Sequence, residues 1–145
     1  MSFTGHCACR AVSATISAHE PVAVRQCWCR QCQQAAAGGC TNNAVFPAEA
    51  VAIAGTLGSF SYVAPSGNTL TQFFCPACGT GVMAQSSGRM HLRTVRLGFL
   101  DPGHGLEPDA VIWTDDAPAW AQIDQRATSY AGQPPAPGQT PVPAQ

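Results

Sequence analysis

The 145-residue sequence predicts an all-β domain of short strands with one short helix. Apolar residues alternate over short runs, and no run keeps a helical period for long. Gly, Pro, Asn and Ser break the chain every few residues, as turns between strands do. The length and the 46% hydrophobic content suit a single domain with its own core.

Val12, Ala14, Ile16 and Ala18 alternate with smaller or polar residues, the pattern of a half-buried strand. Further strands are expected over 22–24, 44–46, 51–53, 60–63, 70–74, 81–84 and 90–97. Pro65-Ser66-Gly67-Asn68 reads as a turn. Residues 30–37, Arg-Gln-Cys-Gln-Gln-Ala-Ala-Ala, are good helix formers that Gly38-Gly39 can end. From residue 131 the chain holds five prolines in fifteen residues and almost nothing large and apolar, which predicts a flexible tail. The expected organisation is therefore a folded domain over 1–130 and a Pro-rich tail over 131–145.

Only 10% of residues are charged, against roughly 25% in an average domain. Residues 1–100 carry six Arg against two Glu; residues 101–145 carry one Arg against six acids. The chain has no lysine, which argues against a nucleic-acid partner. No stretch approaches the roughly 18 apolar residues of a membrane span. The first ten residues lack the apolar core of a signal peptide. A cytoplasmic protein is expected, where thiols stay reduced and eight cysteines point to metal rather than disulfides. Sparse charge with high hydrophobic content leaves a homo-oligomer open.

Cys7-Ala8-Cys9 places two thiols at i and i+2, on one face if the segment is an extended strand. Cys75-Pro76-Ala77-Cys78-Gly79 is a knuckle, with Pro76 at the first central position of a turn and Gly79 relieving strain after it. Together Cys7, Cys9, Cys75 and Cys78 supply the four thiolates of a closed, structural zinc site. The competing reading is a redox C-x-x-C, which normally opens a helix in a βαβ unit, and no such unit is predicted.

The second cluster is Cys27-Trp28-Cys29-Arg30-Gln31-Cys32. With a helix starting near Cys29, Cys29 and Cys32 share a face at i and i+3, and Cys27 joins them from the preceding segment. Three ligands on a tetrahedral ion leave a position open, the pattern of a catalytic zinc. An exogenous thiol there would bind as a thiolate, a competent nucleophile near neutral pH. Three other readings compete: Cys40 closes the site as a fourth ligand, the cluster carries a reversible disulfide without metal, or its zinc is purely structural. His6 abuts Cys7, as a neighbour of the ligand or as an exposed residue; His19, His91 and His104 sit in no ligand spacing.

The order C-x-C, C-x-C-x-x-C, F-C-P-x-C-G resembles the glutathione-dependent formaldehyde-activating enzyme family, which includes centromere protein V. The resemblance runs from Gly5-His6-Cys7-Ala8-Cys9 through Cys27–Cys32 and Phe74–Gly79 to Leu100-Asp101-Pro102, Ile112-Trp113 and Pro118-Ala119-Trp120, about residues 4–125. It implies a β-tent fold related to zinc ribbons. It also implies a structural zinc on Cys7, Cys9, Cys75 and Cys78, and a catalytic zinc on Cys27, Cys29 and Cys32. The implied activity is a carbon–sulfur lyase that joins formaldehyde to a small thiol, glutathione, as S-hydroxymethylglutathione. Trp28, Gln33-Gln34-Ala35-Ala36 and Val111 depart from the family's usual residues around the second cluster. Arg30, with Arg10 and Arg25, offers cations for ligand carboxylates. A zinc-stabilised binding module without chemistry and a thiol redox sensor are the alternatives to an enzyme.

Overall fold

The computed structural model describes residues 2–135, and strands dominate it. In chain order they are β1 (Phe3–His6), β2 (Ser13–Ile16), β3 (Ala23–Cys27), helix α1 (Arg30–Ala35), β4 (Thr41–Pro47), β5 (Val51–Ala54), β6 (Gly58–Val63), β7 (Thr69–Phe74), β8 (Gly81–Ser86), β9 (Leu92–Arg96), β10 (Ala110–Ile112) and β11 (Thr128–Ser129). Single 3-10 turns follow β4, β8 and β10. The expected all-β class with one short helix is what the chain forms. No helix among the described residues is long and apolar enough to cross a membrane.

The chain divides into two compact units, each made of two stretches: residues 2–22 with 44–106, and residues 23–43 with 107–135. In the first unit β1, β2 and β5 form an antiparallel sheet in the order β1-β2-β5. The alternation read from the sequence holds there: Val12, Ala14 and Ile16 are buried, while Thr15 between them is exposed. The order β9-β8-β7-β6 continues from the end of β4, whose Ala44, Val45 and Phe46 are all buried. Phe46 meets Phe3 at a ring-centroid distance of 5.3 Å. Two glycines are set by close approach. A Cβ on Gly5 would stand 2.7 Å from the Phe99 carbonyl oxygen. One on Gly55, which has φ +100°, would stand 2.2 Å from the Ala11 carbonyl oxygen.

In the second unit β10 runs parallel to both β3 and β11, in the order β11-β10-β3, and β3 neighbours the start of β4. Helix α1 stops at Ala35, earlier than the 30–37 expected, because Ala37 (φ 55°) and Gly38 (φ 100°) turn left-handed. Gly38 N–H then donates to Gln33 O at 2.7 Å, which satisfies a carbonyl at the helix end. Strands β1, β10 and β11 were not predicted. Each is short and is set by its partners rather than by its own pattern: β1 by β2 and a bridge from Gly5 to Leu100, β10 by β3, and β11 by β10. The segment expected to start a flexible tail is held at its beginning. Trp113 N–H donates to Gly132 O, Trp113 Nε1 to Gln133 Oε1 and Arg25 Nη2 to Pro135 O, and Pro134 is buried. The rest of that expected tail, 136–145, lies outside the described residues.

Candidate functional site

Each unit carries one cysteine group. In the first, the sulfurs of Cys7, Cys9, Cys75 and Cys78 all lie within 4.8 Å of one another. The knuckle forms as predicted: Gly79 N–H donates to Cys75 O at 2.8 Å, and Gly79 takes φ 76°. The other pair differs from expectation. Cys7 and Cys9 sit in the turn between β1 and β2, not on a strand. Cys7 N–H donates to Val12 O and Arg10 N–H to Cys7 O, and Arg10 takes φ 65° to close the loop. A turn brings both sulfurs to the group as well as a strand would, with Cys7 Sγ 3.6 Å from Cys9 Sγ and Cys9 Sγ 3.7 Å from Cys75 Sγ.

Donors surround these sulfurs. Val12 N–H reaches Cys7 Sγ at 3.2 Å, and the Thr80 hydroxyl lies 3.2 Å from Cys78 Sγ. The Thr80 hydroxyl, then the N–H groups of Thr80 and Cys9, pull the Cys78 thiol down to about 5. Burial works against ionisation of Cys7, but the Val12 N–H and the thiols of Cys9 and Cys75 overcome it and lower its pKa. Cys9 has the Ala11 N–H in its favour, yet its crowding by the three other thiols raises it to about 11. Four soft donors so close cannot all ionise unaided, and a divalent cation relieves that conflict. The donor set fits zinc.

In the second unit the sulfurs of Cys27, Cys29 and Cys32 lie within 4.8 Å of one another, with Cys27 and Cys32 buried and Cys29 half-buried. Cys27 ends β3. Cys29 caps α1, and its sulfur accepts the Cys32 N–H at 3.3 Å, so the predicted helix start is confirmed. Cys29 and Cys32, reinforced by burial, push the Cys27 thiol strongly upward. Cys29 is helped by the Cys27 thiol, but Cys32 and burial outweigh that and raise it to about 11. This set, too, fits a soft divalent cation. Cys40 is half-buried and its sulfur is outside the three-sulfur group; burial raises its thiol. No histidine belongs to either group among the described residues.

The three-sulfur group is walled by apolar side chains: Ile112 is buried with it, and Trp113 and Tyr130 pack against it. Trp28, 4% exposed, meets Trp120 edge-on at 6.2 Å, and its Nε1 donates to Gln26 Oε1. Gln33 Nε2 donates to Trp28 O at 2.7 Å and Asp116 O at 2.9 Å, which ties α1 to the turn after β10.

Sequence reasoning overlooked Thr80 and Tyr130. Thr80 carried one signal, a hydroxyl two residues past Cys78; Tyr130 carried none. His6 is placed beside the four-cysteine group through its neighbour Cys7, and its Nδ1 pairs with the Asp101 carboxylate at 2.9 Å. Thr4 Oγ1 also donates to Asp101, at 2.6 Å; this hydroxyl first, and then His6, lowers the Asp101 pKa. Of the arginines expected near a ligand, Arg30 is exposed at the first residue of α1, Arg10 lies near Asp101, and Arg25 is engaged with Pro135.

The family described as glutathione-dependent formaldehyde-activating enzyme matches residues 2–116, a stretch that holds every cysteine of both groups. The chain belongs to this family. Glutathione-dependent formaldehyde activation is the activity for which the family is described. No curated protein matches the chain. Among solved structures, the crystal structure of a Rhodobacter sphaeroides protein is similar, with a TM-score of 0.57 and 16% identity over 88% of this chain and 98% of that one. At that identity the likeness is one of fold. Tyr130, which packs against the three-cysteine group, lies past the family match.

Proposed function

We propose that this family member is a zinc-dependent carbon–sulfur lyase that makes and breaks a thiol–aldehyde adduct, by default S-hydroxymethylglutathione from glutathione and formaldehyde. One observation supports it above the rest: the two cysteine groups differ by one ligand. Cys7, Cys9, Cys75 and Cys78 would hold a structural zinc with a complete shell. Cys27, Cys29 and Cys32 would hold a second, with room for an outside ligand. Zinc bound there supplies a Lewis acid and favours the ionised form of a coordinated thiol.

The chain's own residues set the rest. The Cys32 N–H fixes the Cys29 sulfur, and β3 fixes Cys27, so the three donors are held before any ligand arrives. Ile112, Trp113 and Tyr130 keep the surroundings apolar, which strengthens electrostatic contacts and limits water. Exposed Arg30 is the cation available to a glutathione carboxylate. The addition balances without a leaving group: the sulfur bonds to the aldehyde carbon, and the thiol proton ends on the new carbinol oxygen. Such a centre needs reduced thiols, which suits a cytoplasmic setting.

The test is elemental zinc analysis paired with NMR exchange measurement of adduct formation. The expected result is about two zinc ions per wild-type chain and about one in Cys29→Ser, with loss of the catalysed exchange. Unchanged zinc content and unchanged exchange in Cys29→Ser would remove the catalytic assignment.

A further inference from the structure

Strand β6 is last in its sheet order. β7 pairs with one side of it, and among the described residues no strand pairs with the other. The turn that joins them sets which backbone groups face which way. Ala64 N–H donates to Asn68 O at 2.8 Å, so 64 and 68 form a hydrogen-bonded pair. The register continues as 62↔70 and 60↔72. Bonded pairs recur every second residue, so the N–H and C=O groups of Phe60 and Tyr62 point at β7. Those of Ser59, Ser61 and Val63 point away from the sheet.

Proteins normally blunt such an edge with lysine, proline, a bulge or a very short strand. β6 has none of these. It runs six residues, Gly-Ser-Phe-Ser-Tyr-Val, without charge or proline, and its register with β7 is unbroken. Phe60 is 60% exposed and Val63 71%, two of the few large apolar side chains left in water.

We propose that β6 pairs antiparallel with β6 of a second copy of this chain, about a two-fold axis at Ser61. The pairing places Ser61 against the partner's Ser61, Ser59 against the partner's Val63, and Phe60 against the partner's Tyr62. Opposed residues must share a face, so odd residues pair with odd ones, and those are the residues whose backbone groups point outward. Among such registers, the one centred on Ser61 pairs all three outward-facing residues of the strand, whereas one centred on Phe60 overlaps as many residues but pairs only Ser59 and Ser61. Phe60 and Tyr62 already stand 6.0 Å apart within one chain, so four rings gather across the axis. An uncharged strand offers no counter-charge to a charged peptide, whereas its own copy satisfies each outward donor and acceptor and covers the same apolar row twice. The contact is small, so the dimer is weak, with a dissociation constant on the order of 10–100 micromolar.

Sedimentation of the zinc-loaded full chain tests this, together with directed cross-linking. The weight-average mass is expected to rise from monomer towards dimer across that concentration range. Ser61→Pro removes the outward N–H together with an exposed hydroxyl contact to Thr71 Oγ1, and is expected to keep the zinc content while shifting dissociation at least tenfold. Ser61→Lys, which sets like charges against each other at the axis, is expected to do the same and guards against misfolding of the proline variant. For the register, a Phe60→Cys chain mixed with a Tyr62→Cys chain is expected to give a 60–62 disulfide on mild oxidation. Non-bonded antiparallel pairs approach to about 4.5 Å between Cα atoms, within disulfide reach. Neither chain alone is expected to cross-link at these positions. A wild-type chain that stays monomeric to millimolar concentration, a dimer indifferent to both Ser61 variants, or cross-linking in the single chains would overturn the proposal. So would a monomer whose Ser59, Ser61 and Val63 amides resist hydrogen exchange, which would assign the edge to another segment of the chain.

Discussion

Replacing Gly55 by alanine tests how the fold supports the four-cysteine group. Gly55 follows β5 and has φ +100°, a conformation that costs an L-residue about 1–2 kcal/mol even in open space. Here space is also lacking: the added Cβ would stand 2.2 Å from Ala11 O and 3.1 Å from Val12 Cα. Both obstacles are backbone, so no side chain can swing aside, and one segment must retreat by about 1 Å. Strain and displacement together predict a loss of about 3–5 kcal/mol, at the upper end for a single substitution. The segment that must retreat is the one that serves the sulfurs. Ala11 N–H supports Cys9, Val12 N–H donates to Cys7 Sγ, and Cys7 N–H donates to Val12 O. Gly55→Ala is therefore expected to lose zinc from this group sooner under a competing chelator, as well as to lower the urea midpoint of the zinc-loaded protein. Gly67→Ala is the control, because Gly67 has φ +85° with nothing within 4 Å of an added Cβ. It should cost only the conformational strain of about 1–2 kcal/mol and leave zinc retention unchanged. If both variants lose the same small amount, the clash with Ala11 does not govern this region.

Two further outcomes follow from the thiols and their neighbours. In reduced, zinc-stripped protein at pH 7, exposed Cys78 with its pKa near 5 is a thiolate, while Cys9 at about 11 is a thiol. Iodoacetamide mapping by mass spectrometry should find Cys78 modified about tenfold faster or more, and Thr80→Val should narrow the gap by removing the main donor; equal rates would contradict the hydrogen-bond pattern. Tyr130→Ala strips packing from the three-cysteine group at a cost of about 1–2 kcal/mol. It should weaken zinc retention there, read from cobalt-substituted spectra, while the four-cysteine group keeps its metal. Loss at both groups would mean that Tyr130 acts on general stability only.

Relations between near neighbours in sequence were legible, because chain geometry alone sets them. The knuckle from Cys75 to Gly79, the Cys29 cap on α1 and the buried row Val12, Ala14, Ile16 all concern residues within a few positions of one another. Cysteine type and spacing pointed to a metal for the same reason: two thiols a turn apart can reach one ion wherever the turn sits. The structure brings together the same four sulfurs and the same three that the sequence reading grouped.

What depends on distant pairing was not legible. The pattern Phe-Thr-Gly-His says nothing of a strand; β1 exists because it pairs with β2 and because Gly5, having no Cβ, lets the Phe99 backbone approach. His6 meets Asp101 across 95 residues, and Tyr130 reaches the Cys27 cluster from beyond the family match. Nor did the Phe60 and Tyr62 alternation reveal that no strand covers the far side of β6. Propensity and periodicity measure what a segment prefers locally. Which segment lies beside it, what wall that builds around a sulfur, and which backbone groups are left facing outward are set when remote strands pair, and only the tertiary structure decides them.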